Sequence, residues 1–169
     1  MSASVGPGAD GGSWKRVLVV DGDDDTRAIL GAALEASGYR PLLASEVQGA
    51  FALAASSPVH LIISESMAIG TPDLPASLRA SPALARVPMI VYSSRAFPGD
   101  VERSLLAGAS VVLVKPVPYR IIIGLVDRFL DLGAERRLAV LAEDQMAHAP
   151  PQPRTAGLIV ASRHQAASS

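Results

Sequence analysis

The sequence predicts an α/β fold, a single domain built on a doubly wound, five-stranded parallel sheet. Five short apolar runs recur along the chain, starting at positions 17, 40, 61, 89 and 111. They are continuous rather than alternating, as strands covered by helices on both faces must be. The gaps between their starts are 23, 21, 28 and 22 residues, each enough for one strand, one crossover helix and two loops.

The elements follow in order. Val17-Leu-Val-Val20 reads as the first strand, and the helix after it carries Ile29, Leu30, Ala33 and Leu34, with Gly38 where a C-terminal cap belongs. Arg40-Pro-Leu-Leu43 is the second strand, followed by helical spacing at Ala50, Phe51 and Ala54. Leu61-Ile-Ile63 is the third. Pro72, Pro75 and Pro82 then restrict the next helix to about two turns. Met89-Ile-Val-Tyr92 leads into a helix with Val101, Leu105 and Leu106, capped near Gly108. Val111-Val-Leu-Val114 is the fifth strand, and the last helix, 119–130, places Ile122, Leu125, Val126 and Phe129 on one face. Right-handed crossovers put such helices on both sides of the sheet.

Residues 1–13 are rich in Gly, Ser and Ala and are expected to form a disordered tail; 14–132 form the domain. Residues 133–147, with Leu138 and Leu141, are expected to prolong the last helix as a solvated extension rather than a dimer seam. A second disordered tail is expected over 148–169, where Pro150, Pro151 and Pro153 precede a Ser/Ala/Gln run.

Composition removes several function classes. Of 169 residues, 49% are hydrophobic, and 15 Lys and Arg against 16 Asp and Glu give a net charge of -1, so a wholly disordered chain is excluded. The same balance argues against nucleic acid, which needs clustered positive charge. With no cysteine, disulfides, thiolate metal sites and thiol nucleophiles are all absent. No stretch approaches the roughly 20 apolar residues of a bilayer span, and the start lacks the apolar core of a secretory signal, so a cytoplasmic location is expected.

In a doubly wound sheet, function gathers at the carboxyl ends of the strands. Four aspartates occupy five positions in Asp21-Gly-Asp-Asp-Asp25, right after the first strand. Crowded carboxylates suit a hard cation; equally, Asp23, Asp24 or Asp25 can cap the following helix and favour its positive end. Glu65 follows the third strand. Ser93 and Ser94 follow the fourth, either as anion-binding hydroxyls or as helix caps. Lys115, held extended by Pro116, follows the fifth and can aim its ammonium at the carboxylates. Carboxylate, carboxylate, hydroxyl and lysine at four different strand ends make one candidate site.

Over residues 16–130 the sequence resembles the receiver domain of bacterial two-component response regulators. Val17-Leu-Val-Val-Asp21 is similar to the family's first strand and the first member of its acidic pair. Leu61-Ile-Ile-Ser-Glu65, with Met67 and Gly70, resembles the segment that holds the phosphoacceptor. Val87-Pro88-Met-Ile-Val-Tyr-Ser93 looks like the strand ending in the family's hydroxyl. Ala107-Gly108-Ala109 and Val114-Lys115-Pro116 look like the stretch ending in its lysine. The resemblance implies a flavodoxin-like sheet of order 2-1-3-4-5. It also implies phosphoryl transfer from a histidine kinase to an Asp carboxylate, with Mg²⁺ bridging the acidic pair, the acceptor and the phosphoryl oxygens.

Three positions depart from that pattern. Gly22 stands where the second acidic residue is expected, Glu65 stands at the acceptor Asp, and Val112 stands where an aromatic switch residue is usual. Loss of a carboxylate weakens a Mg²⁺ site held by Asp21 and at best Asp23. Glu65 has an extra methylene that displaces its oxygen by roughly 1 Å, enough to cost about 100-fold in a positioned reaction. Its carboxylate reaches instead towards Lys115 and Ser93, where it partly imitates a phosphoryl group. Val112 is too small to swap packing states as an aromatic does.

The expected function is therefore a stand-alone pseudo-receiver. It is not an enzyme, needs no cofactor beyond a possible weak Mg²⁺, and acts by protein-protein interaction with a histidine kinase or another signalling protein. It is expected to be a monomer or weak homodimer, with no nucleic-acid or membrane partner. One alternative is a phosphorylatable response regulator in which Asp23 supplies the missing ligand and Glu65 accepts phosphate. Another is a haloacid-dehalogenase-like phosphatase nucleophilic at Asp21, suggested by Asp21-Gly22-Asp23. Its usual Thr four residues on is Asp25 here, with Thr26 one position late, and no further acidic pair follows a late strand.

Overall fold

The computed structural model describes residues 14–130, apart from Ile69 and Ala96. The proposed tails over 1–13 and 148–169 and the extension over 133–147 lie outside the described residues. Five strands form one parallel sheet of order β2-β1-β3-β4-β5, namely β1 (Arg16–Val20), β2 (Arg40–Ala44), β3 (Leu61–Ser64), β4 (Met89–Ser93) and β5 (Val111–Val114). Between and after them run α1 (Asp24–Ala36), α2 (Val47–Ser56), α3 (Leu74–Arg79), α4 (Pro98–Leu106) and α5 (Tyr119–Phe129).

The continuous apolar runs are buried on both faces because side chains alternate across the sheet. Val17, Val19, Leu61, Ile63, Ile90 and Leu113 point to one side, where Leu30 and Leu34 of α1 and Ile122 and Val126 of α5 cover them. Leu18, Val20, Ile62, Met89, Val91 and Val112 point to the other, against Ala50 of α2, Leu74 and Leu78 of α3 and Val101 of α4. Each such aliphatic side chain contributes about 1.5–3 kcal/mol on burial. β2, at the sheet edge, is the strand with an exposed Arg and a Pro, since an edge strand has fewer ladder bonds for Pro to break.

Helix ends follow from local chemistry. Asp23 is the N-cap of α1, and Asp24 and Asp25 fill the first turn, where negative charge meets the positive end of the helix dipole. Gly38 and Gly108, just beyond α1 and α4, have φ of 83° and 97°, a left-handed conformation that glycine adopts without strain. α3 is six residues long and starts on an Asp73 cap with Pro75 in its first turn. Two helix-face expectations fail. Ile29 is 46% exposed and Leu106 is 68% exposed, because Leu30 with Leu34, and Val101 with Leu105, already occupy the core-facing lines.

Candidate functional site

Parallel strands that end together bring their following residues together. The Glu65 N–H donates to the Val20 carbonyl at 2.9 Å, which sets the start of the loop after β3 beside the end of β1. The Lys115 N–H donates to the Ser93 carbonyl at 2.8 Å and so fixes the end of β5 beside β4. Asp21 is tied by its own N–H to Ala44 O at 3.1 Å, while Arg27 Nη1 donates to the Asp21 carbonyl at 2.6 Å.

The side chains close on one another. Lys115 Nζ lies 2.7 Å from Asp21 Oδ2 and 3.1 Å from Glu65 Oε2, and 5.2 Å from the centre of the Tyr92 ring. The Lys115–Pro116 peptide bond is cis. Asp21 Oδ1 accepts from the Asp23 N–H at 2.9 Å. Glu65 Oε1 accepts from the Ser66 N–H at 2.7 Å and the Ser66 hydroxyl at 3.1 Å, and Oε2 takes longer contacts from the Ser94 N–H at 3.3 Å and hydroxyl at 3.5 Å. The Ser66 and Ser93 hydroxyls share a hydrogen bond of 2.7 Å, and Ser93 Oγ accepts from the Arg95 N–H at 3.0 Å.

Electrostatics follow from this packing. Burial pushes the Glu65 carboxyl up, but the Ser93 hydroxyl, the Ser66 N–H and the Lys115 ammonium outweigh it and hold the group below its ordinary range. Burial pushes Lys115 down, and the opposing pull of Asp21 and Glu65 leaves it above its ordinary range. Both shifts favour the charged forms, so the Glu65 carboxylate and the Lys115 ammonium face each other as an ion pair at neutral pH.

Asp21, Glu65 and Lys115 meet directly, and Ser93 lies against Glu65 and shares its hydroxyl hydrogen bond with Ser66. Asp23 stands apart. Its Oδ2 accepts from the Thr26 N–H at 2.8 Å and the Thr26 hydroxyl at 2.6 Å, and these bonds hold its carboxyl below its ordinary range. Val112 is 1% exposed in the layer shared with Val101 of α4. Gly22 offers no side-chain donor, and a Cβ built there would meet nothing within 4 Å. Mg²⁺ needs near-octahedral oxygen donors. Gly22 supplies none, Asp23 Oδ2 is engaged in the cap, and one ammonium holds both Asp21 and Glu65. These residues do not fit the ion, and among the described residues no group of three or more His, Cys, Asp or Glu side chains could hold a metal.

Ser66 is the site residue that sequence reasoning missed. A hydroxyl next to the acceptor position was visible, but nothing in its spacing showed that it links Glu65 to Ser93. Ser94 was named as a possible anion binder, and the anion it meets is Glu65.

A sheet of this order, with an acidic residue after β1, an acidic residue after β3, a hydroxyl after β4 and Lys-Pro after β5, defines a receiver-type domain. Known proteins agree. No family model matches the chain. It is 31% identical over 110 residues to the two-component response regulator ORR11 of Oryza sativa subsp. indica, which covers 63% of this chain and 75% of that protein. It is 35% identical over 102 residues to a gliding motility regulatory protein of Myxococcus xanthus, which covers 59% of this chain but only 13% of that protein. Among solved structures, chemotaxis protein CheY4 of Vibrio cholerae superposes with a TM-score of 0.64 at 23% identity, over 70% of this chain and all of that one (100%), which supports the fold. The chain belongs to the two-component response regulator family, as a receiver-domain signalling module. No helix among the described residues is long and apolar enough to cross a membrane.

Proposed function

We propose that this module is a pseudo-receiver of a two-component or phosphorelay system, acting through protein-protein interaction without phosphoryl transfer in the usual way. The observation that carries this reading is that Glu65 already holds, with its own carboxylate, the Lys115 ammonium and the serine donors at the ends of β3 and β4. A negative group is built into the place where the family's chemistry would install one. Gly22 adds a second block, because Mg²⁺ loses a carboxylate ligand and is bound weakly or not at all. The module is then not an enzyme, and its state depends on its partner, a histidine kinase or another signalling protein, and on abundance. A cytoplasmic monomer or weak homodimer fits this role.

The phosphorylatable alternative draws no support from Asp23, whose Oδ2 is engaged by Thr26. The phosphatase alternative draws none either: Asp21 has both carboxylate oxygens bonded, and the relative ORR11 is a two-component response regulator.

Labelling with acetyl phosphate tests the reading. The wild type is expected to take up no phosphoryl group, and millimolar Mg²⁺ is expected to leave its melting temperature almost unchanged. Gly22→Asp with Glu65→Asp restores ligand and acceptor together, and a Cβ at Gly22 would meet nothing within 4 Å. Mg²⁺-dependent, hydroxylamine-labile labelling is expected in the double variant alone, because nucleophile and metal act as one unit. Robust labelling of wild-type Glu65 would sink the proposal.

A further inference from the structure

A pocket of about 230 Å³ opens beside the carboxylate cluster, where the loop after β3 faces α4. This volume lies below the roughly 300 Å³ at which sites for drug-sized ligands begin. Its size suits one long side chain rather than a nucleotide or cofactor.

The pocket is rich in donors. Asp100, its side chain 11% exposed, accepts from Arg95 Nε and Arg103 Nη1, each at 3.1 Å and each on a different oxygen. Arg95 Nη1 also donates to Met67 Sδ at 3.2 Å. A guanidinium carries five N–H donors, and among the described residues these three contacts are the ones made by the two arginines. Ser104, 4% exposed, adds a hydroxyl to the wall. Asp73, the other carboxylate of the lining, spends Oδ1 on the Ala76 N–H at the start of α3. Charges in the lining balance, but donors outnumber acceptors, and the Arg95 and Arg103 side chains remain 44% and 58% exposed. Phe97, two residues beyond Arg95, is 68% exposed, an aromatic of the kind that anchors interfaces.

We propose that this pocket receives one glutamate or aspartate side chain from an acidic segment of a partner protein. The carboxylate takes unused N–H groups of Arg95 and Arg103, and an apolar neighbour in the same segment rests on Phe97. The proposal rests on the interaction-module reading only for the class of partner. Its test involves no phosphorylation, so either idea can fail alone.

The full chain, isotope-labelled, is titrated with the capped peptide acetyl-Leu-Glu-Glu-Leu-amide, its Gln-Gln counterpart and free glutarate, with amide NMR shifts as the readout. Saturable shifts at Ser66, Met67, Arg95, Arg103 and Ser104 are expected with the glutamate peptide and not with the glutamine peptide. Arg103→Gln is expected to weaken binding about tenfold. Asp100→Asn releases both guanidiniums and is expected to tighten it several-fold, an outcome that a purely structural role for Asp100 does not produce. Equal shifts from the glutamine peptide, absence of shifts around the pocket, or weaker binding by Asp100→Asn would each overturn the proposal. Glutarate binding as tightly as the peptide would overturn the protein partner in favour of a small dicarboxylate.

Discussion

Two ion clusters lie side by side at one end of the sheet, and they are near mirror images. In one, Asp21 and Glu65 share the ammonium of Lys115; in the other, Arg95 and Arg103 share the carboxylate of Asp100. The first is sunk among strand ends, with Asp21 and Glu65 side chains 7% and 11% exposed and Lys115 20% exposed. In the second the shared carboxylate is sheltered but both arginines reach into water. Burial weakens dielectric screening and raises the cost of leaving a charge unpaired, so the first cluster is fixed. Exposed pairs gain little over hydration, so the second can exchange partners. One pairing chemistry gives a closed site or an open one according to depth.

The largest expected effect breaks the buried cluster at its centre. Lys115→Ala leaves two carboxylates facing each other without a counter-ion. Removing one partner of a buried pair costs about 3–5 kcal/mol, and because Lys115 is a fifth exposed a loss of about 2–3 kcal/mol is expected. Urea unfolding measures it. A loss below about 1 kcal/mol would place this cluster in the range of surface pairs and erase the difference between the two regions.

A second, smaller effect is a dependence on pH. The folded Glu65 carboxyl lies below its usual 4.5, so its stabilising contribution is complete above that value and is lost as pH falls through the folded value. Lys115 lies above its usual 10.5, so its contribution is complete below that value and is lost as pH rises through the folded one. Between these limits Glu65 and Lys115 add no slope. Melting temperatures of wild type and Glu65→Gln from pH 3 to 6 are expected to converge towards the acid end, because the variant has no charge to lose there. His60 cancels from this difference. Its Nδ1 accepts from the Arg16 N–H at 3.0 Å, and burial holds it below its usual 6.5, so both proteins lose that contribution alike as pH falls through its folded value.

The same contrast explains what was legible in the sequence. Strand starts were readable within one residue, and the sheet order followed from the resemblance, because buried parallel strands impose unbroken apolar runs. Asp21, Glu65, Ser93 and Lys115 were readable because each immediately follows a strand or ends one. What the runs do not encode is contact between loops. The bridge from Glu65 through Ser66 to Ser93 depends on how the loop after β3 turns, and the pocket at Asp100 depends on how that loop faces α4. Asp23 had two physical readings, cation ligand and helix cap, and only the position of Thr26 in space favours the cap. Ile29 and Leu106 looked like core residues because periodicity identifies a helix face only to within one neighbour.

The smallest expected effect sharpens the contrast from the open side. Arg103→Gln removes one of two guanidiniums from Asp100, yet Arg95 Nε remains 3.1 Å from Oδ2, so no buried charge is stranded. The Arg103 side chain is 58% exposed and its pairing with Asp100 spans one helical turn, a geometry worth about 0.2–0.5 kcal/mol. Stability in urea is therefore expected to fall by less than about 0.5 kcal/mol, and by less still in 0.5 M salt, where the screening length is only a few ångströms. A salt-insensitive loss above about 1 kcal/mol would show that Asp100 needs both arginines to remain folded in place. The second cluster would then be as fixed as the first, and no incoming carboxylate could compete for its guanidiniums.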